Sequence, residues 1–254
     1  MATLVLAGSR GPDDPVARLK GVSHKAMAPI AGVPMLVRVV RALTAAPSVG
    51  TIHIAIERPE LVEQHPELGL LLAGGRLALL PAEGSPSRTV SAALETLGTP
   101  MFVTTADHAL LRPEWVEHFL AHLPRDADVC VALARDNVVQ SAVPDTKRTW
   151  LRFADGAFSG CNMFAFRTPA SLAVAQTWRQ VEAQRKHPLR MIRLLGPVSI
   201  LRFLLGRLTV TAALARLGRI TGARAAMVEM PFGLAAVDVD KAADIELAER
   251  LLSA

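Results

Sequence analysis

The sequence predicts an α/β fold: a mostly parallel sheet with helices on both faces, plus a basic helical insert late in the chain. Two observations carry this expectation. Short apolar runs of strand length alternate with segments of helical periodicity as far as Ala134. Hydrophobic residues make up 51% of the 254 and charged residues only 20%, enough to bury a large core and too apolar for a disordered chain. Alternation of this kind places helices over both faces of a parallel sheet.

Thr3–Ala7 reads as a buried strand, and a polar loop runs on to about Lys25. Pro34–Ala46 reads as a helix, with Met35, Val39 and Leu43, and Leu36 and Val40, at helical spacing. Thr51–Ile56 is a second strand, Pro59–Gln64 a short helix, Arg76–Leu80 a third strand and Ser87–Leu97 a helix. Met101–Thr105 is a fourth strand, Pro113–His122 a helix with proline at an early position, and Asp128–Ala134 a fifth strand. The second half is less regular. Trp150–Phe153 and Cys161–Phe166 read as strands around the turn Asp155-Gly156, and Thr168–Arg185 as a helix. Leu189–Leu217 is apolar and basic, divided into two helices by Gly196-Pro197. Ala225–Met230 and Ala235–Val239 read as late strands and Ala242–Leu252 as a closing helix. With no internal repeat or linker, residues 1–254 read as one domain.

The charge is uneven. There are 28 Lys and Arg against 23 Asp and Glu, a net of +5. Nine of the 28 fall between Arg185 and Arg224, a stretch with no acidic residue. That leaves 19 basic against 23 acidic residues elsewhere, a net of −4. Leu201, Leu204, Leu205 and Leu208 share a helical face, so this insert reads as a helical pair packed on the core. It also reads as a binder of a phosphorylated acceptor through Lys186, Arg190 and Arg193, or as a peripheral membrane contact. Arginines interrupt every window long enough to cross a bilayer. Aromatics are only 4%, and no nucleic-acid-binding module is recognised, which argues against nucleic acid as a partner. Cys130 and Cys161 make neither a disulfide framework nor a metal cluster. The opening residues lack the Lys or Arg of a signal peptide, so a cytoplasmic location is expected.

Six segments bear chemistry. The first strand ends in Leu6-Ala7-Gly8-Ser9-Arg10-Gly11, a glycine-containing loop whose N–H groups can approach phosphate. It has neither Walker A nor GxGxxG spacing. Lys25 comes next, heading Lys25–Leu36. In Glu83-Gly84-Ser85-Pro86-Ser87, Ser87 is a candidate helix cap. Phe102–Asp107 delivers a carboxylate at the end of a strand, with His108 beside it. Asn162, two residues after Gly160, offers an amide that both donates and accepts, or serves as a turn residue. In Val237-Asp238-Val239-Asp240 the two carboxylates share one side of an extended segment.

Together these segments resemble the MobA-like nucleotidyltransferases, a family with a glycosyltransferase-A-type, Rossmann-like fold. The resemblance rests on Leu6–Gly11, on Lys25–Leu36 with its Pro-Ile-x-Gly-x-Pro-Met-Leu core, on Thr104–Leu111, on Gly160–Asn162 and on the Asp238–Ala248 ending. Ser9 stands where the family often has a second glycine, and Ala109 replaces its usual proline. The resemblance implies transfer of NMP from an NTP, CTP or GTP, to a phosphorylated small-molecule acceptor with release of pyrophosphate. It implies that Leu6, Ala7, Gly8, Ser9, Arg10 and Gly11 hold the triphosphate, with Arg10 and Lys25 countering its charge. Ser87 or Ser85 would border the base or ribose; capping explains Ser87 equally well. Asp107 would bind catalytic Mg²⁺, completed by Asp238 or Asp240, with Asp238 favoured and Asp240 reading alternatively as a helix cap. Asp244 reads as a solvated charge. Gly160 and Asn162 would meet the acceptor, and His108 reads either as a substrate contact or as a histidine without a role. A glycosyltransferase of related fold and a non-catalytic nucleotide-binding protein are the rival readings.

Overall fold

The structure is a computed structural model that describes residues 1–9, 11–144, 146, 149–183, 201–202 and 204–253. Arg10 and the first part of the basic insert, including Lys186, Arg190, Arg193 and the Gly196-Pro197 break, lie outside the described residues.

The sheet is built around β1 (Ala2–Leu6), which pairs in parallel with β4 (Ile52–Ile56) and β6 (Met101–Thr105). β5 (Leu77–Pro81) continues it in parallel beyond β4. On the other side β9 (Gly156–Phe166) runs antiparallel between β6 and β7 (Val129–Arg135), and β10 (Ala225–Glu229) closes the sheet in parallel with β7. The order is β10-β7-β9-β6-β1-β4-β5, and the short β8 (Leu151–Phe153) pairs with β9 alone.

Alternation along the strands splits the core in two. Val5, Ile52, Ile54 and Phe102 face one side, beneath α2 (Met35–Ala45), α6 (Pro113–Ala121) and α10 (Ala242–Ser253). Leu4, Ala55, Met101 and Val103 face the other, beneath α5 (Pro86–Leu97) and α8 (Ser171–Ala183). Both faces of β1 are therefore buried, which explains its unbroken apolar run.

The predicted loop before Lys25 holds a helix, α1 (Pro15–Leu19). Asp14 caps it, accepting from Val16 N at 3.0 Å and Ala17 N at 3.3 Å. The short helix expected near Pro59 is α3 (Glu60–Glu63), and a second, α4 (Pro66–Ala73), comes after it. The run Leu70-Leu71-Leu72 hides the helical period there. α7 (Asp136–Ala142) continues directly from β7. The expected strand Ala235–Val239 is instead a 3-10 turn, Gly233–Ala236, leading into extended chain. Its cause is close packing: the backbone at Gly233 runs so near α7 that an added Cβ would fall 2.3 Å from Val138 O. Past the insert, α9 (Val210–Thr221) ends at Gly222 and packs Val210 and Leu214 against Phe158 and Leu133 of the sheet.

Candidate active site

Parallel strands present their carboxyl ends together, so Leu6, Ile56, Pro81 and Thr105 open onto one edge. The loop after β1 starts there. Leu6 and Ala7 are committed to the sheet, since Leu6 O accepts from Ala106 N and Ala7 N donates to Ala55 O, both at 2.9 Å. These bonds anchor the start of the loop. Gly8 lies within 3.6 Å (measured from an added Cβ) of Glu57 Oε1. Ser9 N donates to that same oxygen at 2.6 Å, and Gly11 N donates to Ser9 Oγ at 3.3 Å. The loop N–H at Ser9 is thus already aimed at negative charge.

Lys25 begins a 3-10 turn, Lys25–Met27, whose cap is His24. His24 Nδ1 accepts from Ala26 N at 3.2 Å, which leaves Nε2 as the protonated nitrogen, donating to Glu57 Oε2 at 3.1 Å. Glu57 therefore ties the β1 loop to the turn that carries Lys25. Burial pushes its carboxyl up, but His24 and the Ser9 N–H more than offset that and hold it below the ordinary glutamate range. Beyond the turn, β2 (Pro29–Ile30) and β3 (Val33–Pro34) form a hairpin through Ala31 and Gly32, both at positive φ. That hairpin feeds α2 and fixes the far end of the segment.

Lys25 Nζ donates to Asp107 Oδ2 at 2.7 Å and to Asp240 Oδ1 at 2.6 Å. Burial alone would lower the lysine; the two carboxylates overcome it and hold the ammonium well above its ordinary value. It is a fixed cation, not a base. Asp107 lies just past β6 and also accepts from Thr105 Oγ1 at 2.6 Å. Burial pushes the Asp107 carboxyl up from the usual carboxylate range, while Lys25 and Thr105 pull against it.

The remaining wall comes from β9 and the last loop. β9 is antiparallel and pairs with β6 only as far as Met163, so Gly160–Asn162 projects past the end of β6. Its register against β7 slips between Val131 and Leu133, and Asn162 sits within that bulge at φ +49°. Asn162 Nδ2 donates to Asp238 Oδ2 at 3.1 Å. Val239 N donates to Asp107 O at 3.0 Å, which draws Asp238 and Asp240 up to the end of β6.

Asp240 is no helix cap: its side chain holds Lys25. The carboxylate that serves the start of α10 is that of Asp244, inside its first turn, whose Oδ2 reaches back to accept from Asp240 N at 3.0 Å and Lys241 N at 3.1 Å. Asp244 is buried, not solvated.

The structure brings Ser9, Lys25, Asp107, Asn162 and Asp238 to one edge. Two other candidates follow strands of the same edge but turn their side chains inward. Ser87 is fully buried in the first turn of α5, where its hydroxyl donates to Glu182 of α8; the cap is Ser85, which accepts from Arg88 N. His108 is fully buried and stacks on Trp115 with ring centroids 6.0 Å apart, so it packs the core and does not line the crevice. Sequence reading missed Glu57 and Thr105. A charged residue directly after the strand Thr51–Ile56 was the available signal for the first.

Among the described residues no three His, Cys, Asp or Glu side chains already form a metal-binding group. The donors present still fit magnesium. Asp107 and Asp240 converge on one cation, the Lys25 ammonium. Asp107, Asp238 and Asp240 against Lys25 leave a formal charge of −2. All available donors are oxygens, and magnesium takes only one or two carboxylates beside phosphate and water. Burial keeps the cysteines out of this chemistry; it pushes the Cys130 thiol up to about 11.

Comparison with known proteins gives a consistent result. The model of the MobA-like NTP transferase domain matches residues 3–227. No curated protein sequence matches the chain. A structure described as a hypothetical transferase from Thermus thermophilus is 32% identical, with a TM-score of 0.80 over 96% of this chain and 98% of its own. A CMP:2-keto-3-deoxy-manno-octonic acid synthetase complexed with CTP is 15% identical, with a TM-score of 0.54 over 99% and 97%. A 4-diphosphocytidyl-2C-methyl-D-erythritol synthase from Anaerococcus prevotii is 10% identical, with a TM-score of 0.60 over 100% and 96%. The last two likenesses are likenesses of fold.

Proposed function

The chain belongs to the MobA-like NTP transferase domain family, and from that premise we propose that it transfers NMP from an NTP to a phosphorylated small-molecule acceptor. A phosphate oxygen of the acceptor attacks the α-phosphorus in line, the bond to the bridging oxygen breaks, and pyrophosphate leaves. One observation carries this reading: Lys25 bridges Asp107 and Asp240 on the same edge as the loop after β1. A glycosyltransferase has no need of that lysine.

Each residue then has a task. The Gly8–Gly11 loop receives the triphosphate through backbone N–H groups, and Arg10 adds charge. Lys25 is protonated at working pH and offsets charge developing on the α-phosphate and the leaving group. Asn162 and Gly160 position the acceptor on the opposite wall. The acceptor phosphate is already ionised near neutral pH, so no general base is required. Asp107 and Asp238, with Asp240 alongside, would hold Mg²⁺, which supplies Lewis-acid charge neutralisation of the reacting phosphates.

CTP and GTP are the donors to try first; one structural neighbour was captured with CTP. The reading places the reaction in the cytoplasm, where thiols such as Cys130 and Cys161 stay reduced. One catalytic domain spans the chain, with residues 185–224 inserted into it. The test is incubation with each NTP, Mg²⁺ and a panel of phosphorylated alcohols, pterins and sugars, followed by pyrophosphate detection. Asp107→Asn is expected to remove most turnover without loss of fold. Undiminished pyrophosphate release in that variant refutes the metal assignment.

A further inference from the structure

The end of the basic insert leaves apolar surface that the proposed reaction does not use. Leu201, Leu204 and Leu205 are 58%, 75% and 57% exposed. Their backbone closes a helical turn, with Leu205 N donating to Leu201 O at 2.9 Å and Arg207 N to Arg202 O at 2.7 Å. The spacing i, i+3, i+4 puts the three leucines on one face of that turn. Arg202 and Arg207 are exposed beside them.

Leu208 and Val210 fix the place of this turn. Leu208 is buried, and its carbonyl accepts from Ala154 N at 2.8 Å; Val210 N donates to Asp155 Oδ1 at 3.0 Å. The leucine turn therefore leads straight to the hairpin of β8 and β9. Arg135, the last residue of β7, holds that hairpin by donating from Nη1 to Asp155 O at 3.0 Å. The end of β7 belongs to the same carboxyl edge as the crevice. On β8, Leu151 is 46% exposed and Arg152 is exposed too. The topology thus collects four exposed leucines and three exposed arginines at one end of the molecule, on the side where the crevice opens.

Charge selects the occupant. Among the described residues, Arg152, Arg202 and Arg207 stand exposed around the leucines. Of the nearby carboxylates among the described residues, Asp155 is engaged by the Val210 N–H, Glu229 is paired with Arg135 Nε at 2.7 Å, and Asp136 accepts from Asn137 N at 2.9 Å. A protein partner with an apolar pocket would not need such an excess. An anionic lipid surface takes both features at once: acyl chains receive the leucines while headgroups draw the arginines. Among the described residues no helix is long and apolar enough to cross a membrane.

We propose that the turn bearing Leu201, Leu204 and Leu205, with the β8–β9 hairpin, seats this edge of the protein on an anionic bilayer. The proposal stands independently of the proposed reaction. The test is sedimentation of the full chain with vesicles of phosphatidylcholine alone and of phosphatidylcholine mixed with phosphatidylglycerol. Binding to the mixed vesicles is expected at low salt, at least about tenfold above the neutral vesicles, falling as salt shortens the Debye length. The triple variant Leu201→Ser, Leu204→Ser, Leu205→Ser is expected to lose about tenfold or more in partitioning. It melts at the wild-type temperature, because these side chains are already in water. Arg202→Gln with Arg207→Gln is expected to lose affinity and flatten the salt dependence. Absence of binding to the mixed vesicles at low salt overturns the proposal, as does equal binding to both vesicle types. Wild-type partitioning in the leucine variant overturns it as well. Binding of NTP with Mg²⁺ to wild type, followed by calorimetry without vesicles, reads the proposed function separately.

Discussion

Gly233→Ala probes how the last loop is held against the rest of the site. The added Cβ would fall 2.3 Å from Val138 O, 2.7 Å from Ala142 Cβ and 2.9 Å from Val139 Cα. None of these is the yielding tip of a long side chain, so either α7 or the loop must move. Overpacking of this kind costs about 3 kcal/mol, the upper part of its usual range. A chain of 254 residues unfolds with an entropy of about 0.5 kcal/mol per kelvin, so the expected fall in Tm is about 6 °C. Activity should suffer more than stability, because Asp238 and Asp240 lie on the displaced segment. Gly160→Ala is the control: its Cβ meets nothing within 4 Å, so the Tm should stay within about 1 °C. Its pyrophosphate release should nevertheless fall if the acceptor passes close to that backbone. Thermal melts read by circular dichroism, with pyrophosphate release assayed well below both transitions, decide the matter. A Gly233→Ala protein that melts within about 1 °C of wild type refutes the packing argument.

Other expectations rest on neighbouring contacts. Asp244→Ala removes the acceptor of the Asp240 and Lys241 N–H groups, so it should cost about 1 kcal/mol, or about 2 °C. It should also raise the Mg²⁺ concentration needed for half-maximal pyrophosphate release, because Asp240 loses its tether. Stability should also fall in acid. Lys20 lowers the carboxyl of Glu249, and His24 with the Ser9 N–H outweighs burial at Glu57. A carboxylate lowered in the folded state stabilises the fold above its unfolded value of 4.5, and that stability is lost as pH falls through the lowered values. A Tm that stays flat from about pH 5 to about pH 3 contradicts this reading.

The strands were legible because burial on both faces writes an unbroken apolar run, and Met101–Thr105 begins and ends where the sequence placed it. Lys25, Asp107 and Asp238 were legible as parts of spaced motifs. What the sequence withheld was adjacency. Glu57 meets Ser9 across 48 residues because β4 lies beside β1, and nothing in either segment names the other. Asp240 took the helix-cap role in sequence because it directly precedes the helix; in the structure a lysine 215 residues earlier claims its carboxylate, and Asp244 serves the helix start from inside its first turn. His108 and Ser87 show the converse. Each stands beside a site motif in sequence, yet one turn of backbone points it inward, against Trp115 or Glu182.

The antiparallel strand between β6 and β7 also bears on how the protein comes into being. β7 is made before β9, but it cannot take its final place until β9 arrives to lie between it and β6. Until then a growing chain has the loop after β1, Lys25 and Asp107, but neither Asn162 nor the aspartates beyond Val237. Such pairings over long sequence distances close late in folding. A nascent or truncated protein ending before Gly156 therefore lacks the wall formed by β9 and the last loop, which the proposed reaction assigns to the acceptor. On the proposed reading it keeps the loop meant for the nucleotide but has nothing to receive the transferred group.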